Sequence, residues 1–231
     1  VSRGLWSDGS GTLKTFFKST VQSASSGDYY YDVHNTVSTS ADSKVQFAIS
    51  YGHITGLGSS GSNEDAPTQA IYSQYRNILL APGDTQFTFK ALAGSKNTND
   101  IYAISVQRAR LREKLDPGNW ELNLSGSGDF DTLRLVDDSG ATSDSSVNAA
   151  GRVFNVVSGT IADGVFASGS AEQYFGLVYP DLGIIILDPD TLDKSCSLAT
   201  GRNANTADDN PTKLFNIIKG SGVANAGAFG F

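Results

Sequence analysis

Methionine is missing from the sequence altogether. Val1 is therefore not an encoded start, and the expectation is a processed N-terminus or one part of a longer product. A single cysteine, Cys196, excludes an internal disulfide framework and fits folding in a reducing compartment. Only 17 residues are Lys or Arg against 24 Asp or Glu, a net charge of -7. That balance argues against broad binding to a phosphate backbone, which needs clustered cations. The longest strongly apolar run, 182–187 (LGIIIL), falls far short of the roughly 20 residues that span a bilayer as a helix. The first ten residues, VSRGLWSDGS, lack the apolar core of a signal peptide.

What the chain does have is organised around 101–124, IYAISVQRARLREKLDPGNWELNL. Residues 101–106 are β-branched and aromatic, as in a buried strand. A charged run follows, with Arg108, Arg110, Arg112, Glu113 and Lys114 too polar to bury. Leu111 and Leu115 lie four apart, so one helical turn would tuck both inward. Asp116, Pro117 and Gly118 form a turn signal: Pro117 fixes φ, and Gly118 accepts the positive φ of a type II turn. Trp120, Leu122 and Leu124 then alternate with Glu121 and Asn123, the period of a half-buried strand.

The rest of the chain can be read in order. Residues 1–27 are rich in Ser, Thr and Gly, punctuated by Leu5, Trp6, Leu13, Phe16 and Phe17. Such a segment has no core of its own and is expected to lie as an arm across its own domain or a neighbour. Strands are expected at 29–34 and 44–51, the second placing Val45, Phe47, Ile49 and Tyr51 on one face. The Gly/Ser loop 53–63 loosely resembles a phosphate-binding loop, but it lacks the strand-to-helix context and the distal acid. A helix follows, with Asp65 as cap, Pro67 in the first turn and Pro82-Gly83 as the stop. Its apolar stripe is Ile71, Tyr72, Tyr75, Ile78 and Leu79, more simply core than ligand box. Further strands are expected at 85–90, 132–136, 152–157, 165–166, 174–179 and 182–187, the last apolar on both faces and so deep in the sheet. Segments 91–100 and 137–151 read as loops. A short helical turn within 188–198 and a second helix from Asn210-Pro211 to Gly220 complete the pattern. About ten strands and two helices make a mainly β fold, a sandwich or barrel-like body at 28–220. The arm at 1–27 precedes it. An apolar tail at 221–231 follows, and its abrupt stop at Phe231 leads us to expect that it continues further.

Candidate chemistry is sparse. Asp188, Asp190 and Asp193 could offer oxygen ligands, but an EF-hand needs a mid-loop glycine and a terminal Glu, and both are lacking; capping of a helix is the simpler role. Asp137-Asp138 has the look of a turn. Cys196 has no nearby histidine motif, and His34 and His53 are the only histidines; a buried, inert thiol is the plain reading. No GxSxG or HExxH motif occurs. Paired carboxylates of a glycosidase need not be close in sequence, yet nothing singles them out. The basic run at Arg108, Arg110, Arg112 and Lys114 reads either as a solvated face or as a contact to an acidic neighbouring subunit. Nucleic acid is disfavoured by the charge and by the absence of interleaved aromatics.

One set of segments, taken together, carries a resemblance: 3–7 (RGLWS), 29–33 (YYYDV), 71–76 (IYSQYR), 111–122 (LREKLDPGNWEL), 174–180 (YFGLVYP), 182–188 (LGIIILD) and 213–215 (KLF). In this order, over nearly the whole chain, they resemble a family of virion structural proteins of contractile-tailed cyanobacterial phages. Members of that family extend beyond both ends of this chain. The resemblance implies a non-enzymatic particle component, of the tail baseplate, assembled in the host cytoplasm with other virion proteins and copies of itself. It brings no catalytic, cofactor or metal residues, and no nucleic-acid or membrane partner. The expected contact residues are Leu5, Trp6, Phe16 and Phe17 on the arm, Arg108, Arg110 and Arg112 on the basic connection, and Phe229 and Phe231 on the tail. Fibre attachment, the neck, head decoration or a carbohydrate-binding module of the virion are the alternatives. A polysaccharide hydrolase is a third class, which would require two carboxylates facing a cleft.

Overall fold

The computed structural model describes residues 17–19, 30–35, 37–58, 67–91, 93–111, 113–125, 132–141, 146–165, 174–196, 198, 210–219 and 229–230. β1 (Phe17–Ser19), β2 (Tyr30–His34) and β3 (Val45–His53) precede α1 (Pro67–Leu79). The hairpin of β4 (Phe87–Ala91) and β5 (Gly94–Thr98) leads into β6 (Asp100–Val106). A 3-10 turn at Arg108–Arg110 comes next, then β7 (Glu121–Ser125) and β8 (Thr132–Asp137). β9 (Ser146–Asn148), β10 (Gly151–Thr160), β11 (Gly164–Val165), β12 (Tyr174–Tyr179) and β13 (Ile184–Leu187) follow. α2 (Pro189–Cys196), α3 (Asn210–Lys219) and β14 (Phe229–Gly230) close the described chain.

Among the described residues, twelve strands form one sheet in the order β1-β2-β3-β6-β13-β12-β10-β8-β7-β14, with β9 and β11 attached to β10. Every pairing is antiparallel, with Ile49 opposite Ile104, Ile104 opposite Ile185, Leu177 opposite Ile186 and Leu122 opposite Leu135. The sheet curls into a half-barrel, so the fold is mainly β. α3 packs on β2, β3 and β7, strands from opposite ends of this order, and therefore lies inside the curl.

Both faces of the sheet centre are covered. One face carries Phe47, Ile49, Tyr51, Tyr102, Ile104, Ile185, Leu187, Trp120, Leu122 and Leu124, packed with Leu192 of α2 and Leu214, Phe215 and Ile218 of α3. The other carries Ile101, Ala103, Tyr179 and Ile186, packed under Tyr72 and Leu79 of α1 and Phe87 and Phe89 of the hairpin. This explains why β13 is an unbroken apolar run and β6 is apolar at four successive positions, 101–104: their alternate residues enter different cores. Alternation along β12 breaks once. Tyr174 faces Val157 while Gly176 faces Val156, so Phe175 is an extra residue, and this bulge turns it into the first core.

α1 sits very close to the sheet. A Cβ on Gly52 of β3 would lie 2.8 Å from the Tyr72 backbone nitrogen, so only glycine lets the helix seat there. The helix buries Thr68, Tyr72 and Leu79, while Ile78 is 47% exposed. The expected stripe is thus rotated: Ile78 falls outside it, and Thr68, three turns before Leu79, falls inside it.

Three further expectations need correction. The described residues hold three α-helices, because the turn expected after Asp188 is a full helix, α2. The loop expected at 91–100 contains β5: its polar residues pair with β4 through backbone bonds, Phe89 opposite Lys96 and Phe87 opposite Thr98, on a hairpin that needs no apolar outer strand. The strand expected to end at 157 is longer, since β10 runs on to Thr160 and pairs there with β11.

Candidate interaction surface

The reversal at 116–119 forms as expected. The Asn119 N–H donates to the Asp116 carbonyl at 3.1 Å, and Gly118 has φ 74°, which with Pro117 before it gives a type II turn. What holds the turn is a residue far away in sequence. Asp137, at the end of β8, is 3% exposed. Its carboxylate accepts the Gly118 N–H at 2.8 and 3.0 Å, the Ser139 N–H at 3.0 Å and the indole N–H of Trp120. A buried carboxylate is tolerated where several N–H donors replace its water shell, and here three do. Sequence reading gave Asp137 only as part of a turn; nothing local signals a partner 17 residues earlier.

The basic connection is anchored at both ends. The Arg110 N–H closes on the Gln107 carbonyl at 2.7 Å and the Leu111 N–H on Arg108 at 3.1 Å. Leu111 and Leu115 both enter the first core, though not on one helical turn: Leu111 is already extended, with φ -89° and ψ 136°, and the Leu115 N–H donates to the Pro180 carbonyl at 2.9 Å. Arg108 is exposed and its guanidinium donates to the Glu113 carbonyl. Arg110 is half-buried, and its Nε makes no hydrogen bond among the described residues. Arg112 lies outside the described residues. Lys114 is exposed, as are Glu113 and Asp116, so the connection presents interleaved charges rather than a purely cationic patch.

The acidic group before α2 is structural. Asp188, 1% exposed, accepts the Asp190 N–H at 3.2 Å and the Thr191 hydroxyl at 2.6 Å, the bonding of an N-cap. Lys96 of the β4–β5 hairpin bridges Asp188 at 2.7 Å and Asp190 at 3.1 Å. Desolvation works against the lysine charge, but the two carboxylates outweigh it and leave its pKa above the ordinary value. Lys90 of the same hairpin stands 4.8 Å from the centre of the Tyr174 ring. Two lysines therefore fasten the hairpin to the body.

Burial, helped by the negative charge of Asp193, pushes the Cys196 thiol up to about 12, so it carries almost no thiolate near neutrality. His34 Nδ1 meets the Ser43 hydroxyl at 2.8 Å, and His53 Nδ1 accepts the Thr55 N–H at 3.1 Å. Among the described residues, no three His, Cys, Asp or Glu side chains converge as a metal site would require. The large apolar side chains exposed there are Val37, Leu57, Ile78, Val147, Ile161 and Leu182; none is an aromatic platform for a sugar ring. No described helix is long and apolar enough to cross a membrane.

The two ends meet the body at opposite margins of the sheet. β1 pairs with β2, Phe17 opposite His34, Lys18 opposite Val33 and Ser19 opposite Asp32. β14 pairs with β7, Phe229 opposite Leu122 and Gly230 opposite Glu121. Leu5, Trp6, Phe16 and Phe231 lie outside the described residues. Of the expected contact residues, the structure thus describes Arg108 and Arg110 on one surface connection, and the backbones of Phe17 and Phe229 on two marginal strands.

The described residues define a β-rich half-barrel with helices on both faces and strand backbone at two margins. No family model matches the chain, and neither a curated protein nor a solved structure does.

Proposed function

We propose that this chain is a non-enzymatic structural subunit of the virion of a contractile-tailed phage, with the tail baseplate as its place. It works there by contacts between its terminal segments, its charged connection at 108–116 and neighbouring virion proteins, copies of itself included. The observation that carries this reading is the position of the ends. Residues near both termini run as short strands on the two opposite margins of one sheet, where backbone is available for pairing with another chain. The ordered resemblance set out above supplies the virion and the baseplate.

The test is made on particles. Mass spectrometry of purified virions is expected to find the wild-type chain, and a density map to place it at the baseplate. A chain lacking residues 1–20 is expected to fold and to be missing from particles. Virions without the chain would end the structural reading, and normal incorporation of the shortened chain would end the role given to the N-terminal segment.

A further inference from the structure

We propose that β1 is an exchangeable strand, donated to the β2 margin of a second copy of this chain when subunits associate. The inference deepens the assembly reading and rests on it for its setting, but the pairing itself is a property of the purified protein. Three features of the fold carry it. β1 has three residues, and β2 is its one substantial neighbour among the described elements. Its attachment is a backbone ladder in a three-pair register. An identical segment from another copy would make the same ladder, so exchange leaves the bonding of the margin unchanged.

The connection also permits exchange. Ten residues, 20–29, separate Ser19 from Tyr30, against the two to five residues, roughly, of common hairpin loops. Fully extended, ten residues reach at most about 33–36 Å, enough to cross to an adjoining subunit. The stretch TVQSASSGDY has one two-residue turn signal, Gly27-Asp28, and it lies at the β2 end of the connection rather than midway between the strands. β2 and β3, by contrast, are joined through a reversal closed by hydrogen bonds: the Asn35 N–H donates to the Lys44 carbonyl at 3.2 Å and the Lys44 N–H to the Asn35 side chain at 2.8 Å. That hairpin is closed on itself by these two bonds. A second copy is the occupant because residues 17–19 of this same sequence are what fits the margin.

Ser19 and Asp32 are register partners, which gives a direct test. Ser19→Cys and Asp32→Cys are made as two separate full-length variants, mixed, oxidised, and alkylated before denaturation. A disulfide between positions 19 and 32 in that mixture can only join two chains. The expected result is a covalent heterodimer whose yield rises about tenfold for a tenfold rise in protein concentration, as mass action requires in the dilute regime. A Ser19→Cys, Asp32→Cys double variant that closes within one chain, while the mixed single variants give no heterodimer at any concentration, would overturn the proposal. So would failure of both to cross-link, or capture by Asp32→Cys of a different protein rather than a second copy in an infected-cell extract. Phe17→Cys with His34→Cys repeats the test at the other end of the register, should the first pair disturb folding. Heterodimer in a protein that virions lack would uphold exchange and end the particle reading; the converse would do the opposite.

Discussion

The centre and the margins of the sheet are built on different principles. β6 and β13 are covered on both faces, and their side chains enter two separate cores. β1 and β14 are three and two residues long and are described by backbone pairing alone. At the centre, stability comes from side-chain burial, each large apolar group contributing on the order of 1.5–3 kcal/mol. The described attachment of each margin is a few backbone hydrogen bonds, each worth only about 0.5–1.5 kcal/mol net. The centre therefore specifies the fold, and the margins can change partners without unfolding it.

The sharpest way to break this contrast is Trp120→Ala. Trp120 is fully buried and its indole N–H is held by Asp137. Its loss should cost about 3–5 kcal/mol, read as a drop in the urea midpoint; a change below 1 kcal/mol would show that this core is not the anchor of the turn. Gly52→Ala comes next. The added Cβ meets α1 backbone, and an expected cost of about 1–3 kcal/mol would accompany loosening of the helix, visible as faster amide exchange in 67–79. Unchanged exchange there would remove the close seat of α1 from the account.

A third, smaller effect is alkaline. Tyr72 and Tyr179 are raised by burial, and Lys96 by Asp188 and Asp190. In each case the folded chain holds its proton to higher pH than the unfolded chain. Stability is thus complete below the unfolded values near 10 and declines as pH rises from there toward the folded values. Urea midpoints at pH 8 and 9 should agree and then fall above pH 10, with the absorbance change of Tyr72 and Tyr179 delayed until unfolding. A midpoint that is flat to pH 11 would contradict the buried, protonated tyrosines. The smallest effect belongs to a margin: removal of residues 1–19 should lower stability by less than about 1 kcal/mol. A large loss would mean that β1 is part of the core structure and unsuited to exchange.

The sequence exposed the centre well, for physical reasons. Alternation at Val45, Phe47, Ile49 and Tyr51 reflects a real two-sided strand, and the unbroken apolar run at 184–187 reflects burial on both sides. The turn at Asp116 to Asn119 was legible because Pro117 and Gly118 restrict φ locally. β5 was not legible: Gly94, Ser95, Lys96, Asn97 and Thr98 have no apolar period, and their strand exists through backbone pairing with β4. The Asp137 bonds to Gly118 and Trp120, and the bridge from Lys96 to Asp188, join residues distant in sequence and leave no local trace. Of the expected contact residues, Arg108 was legible as too charged to bury, Arg110 is half-buried against that expectation, and Phe17 and Phe229 fall on strands that composition did not reveal.

The position of β13 has a consequence for synthesis. Ile104 of β6 pairs with Ile185, about 80 residues later in the chain. At ribosomal speeds of roughly 5–20 residues per second, β6 emerges several seconds before the strand that covers its open side. During that interval the nascent chain carries an apolar strand with half its ladder vacant, beside which any other unfinished copy could settle. Polysomes making this protein should therefore depend on a chaperone that shields 101–106, and slowing translation between 107 and 183 should lower the soluble yield.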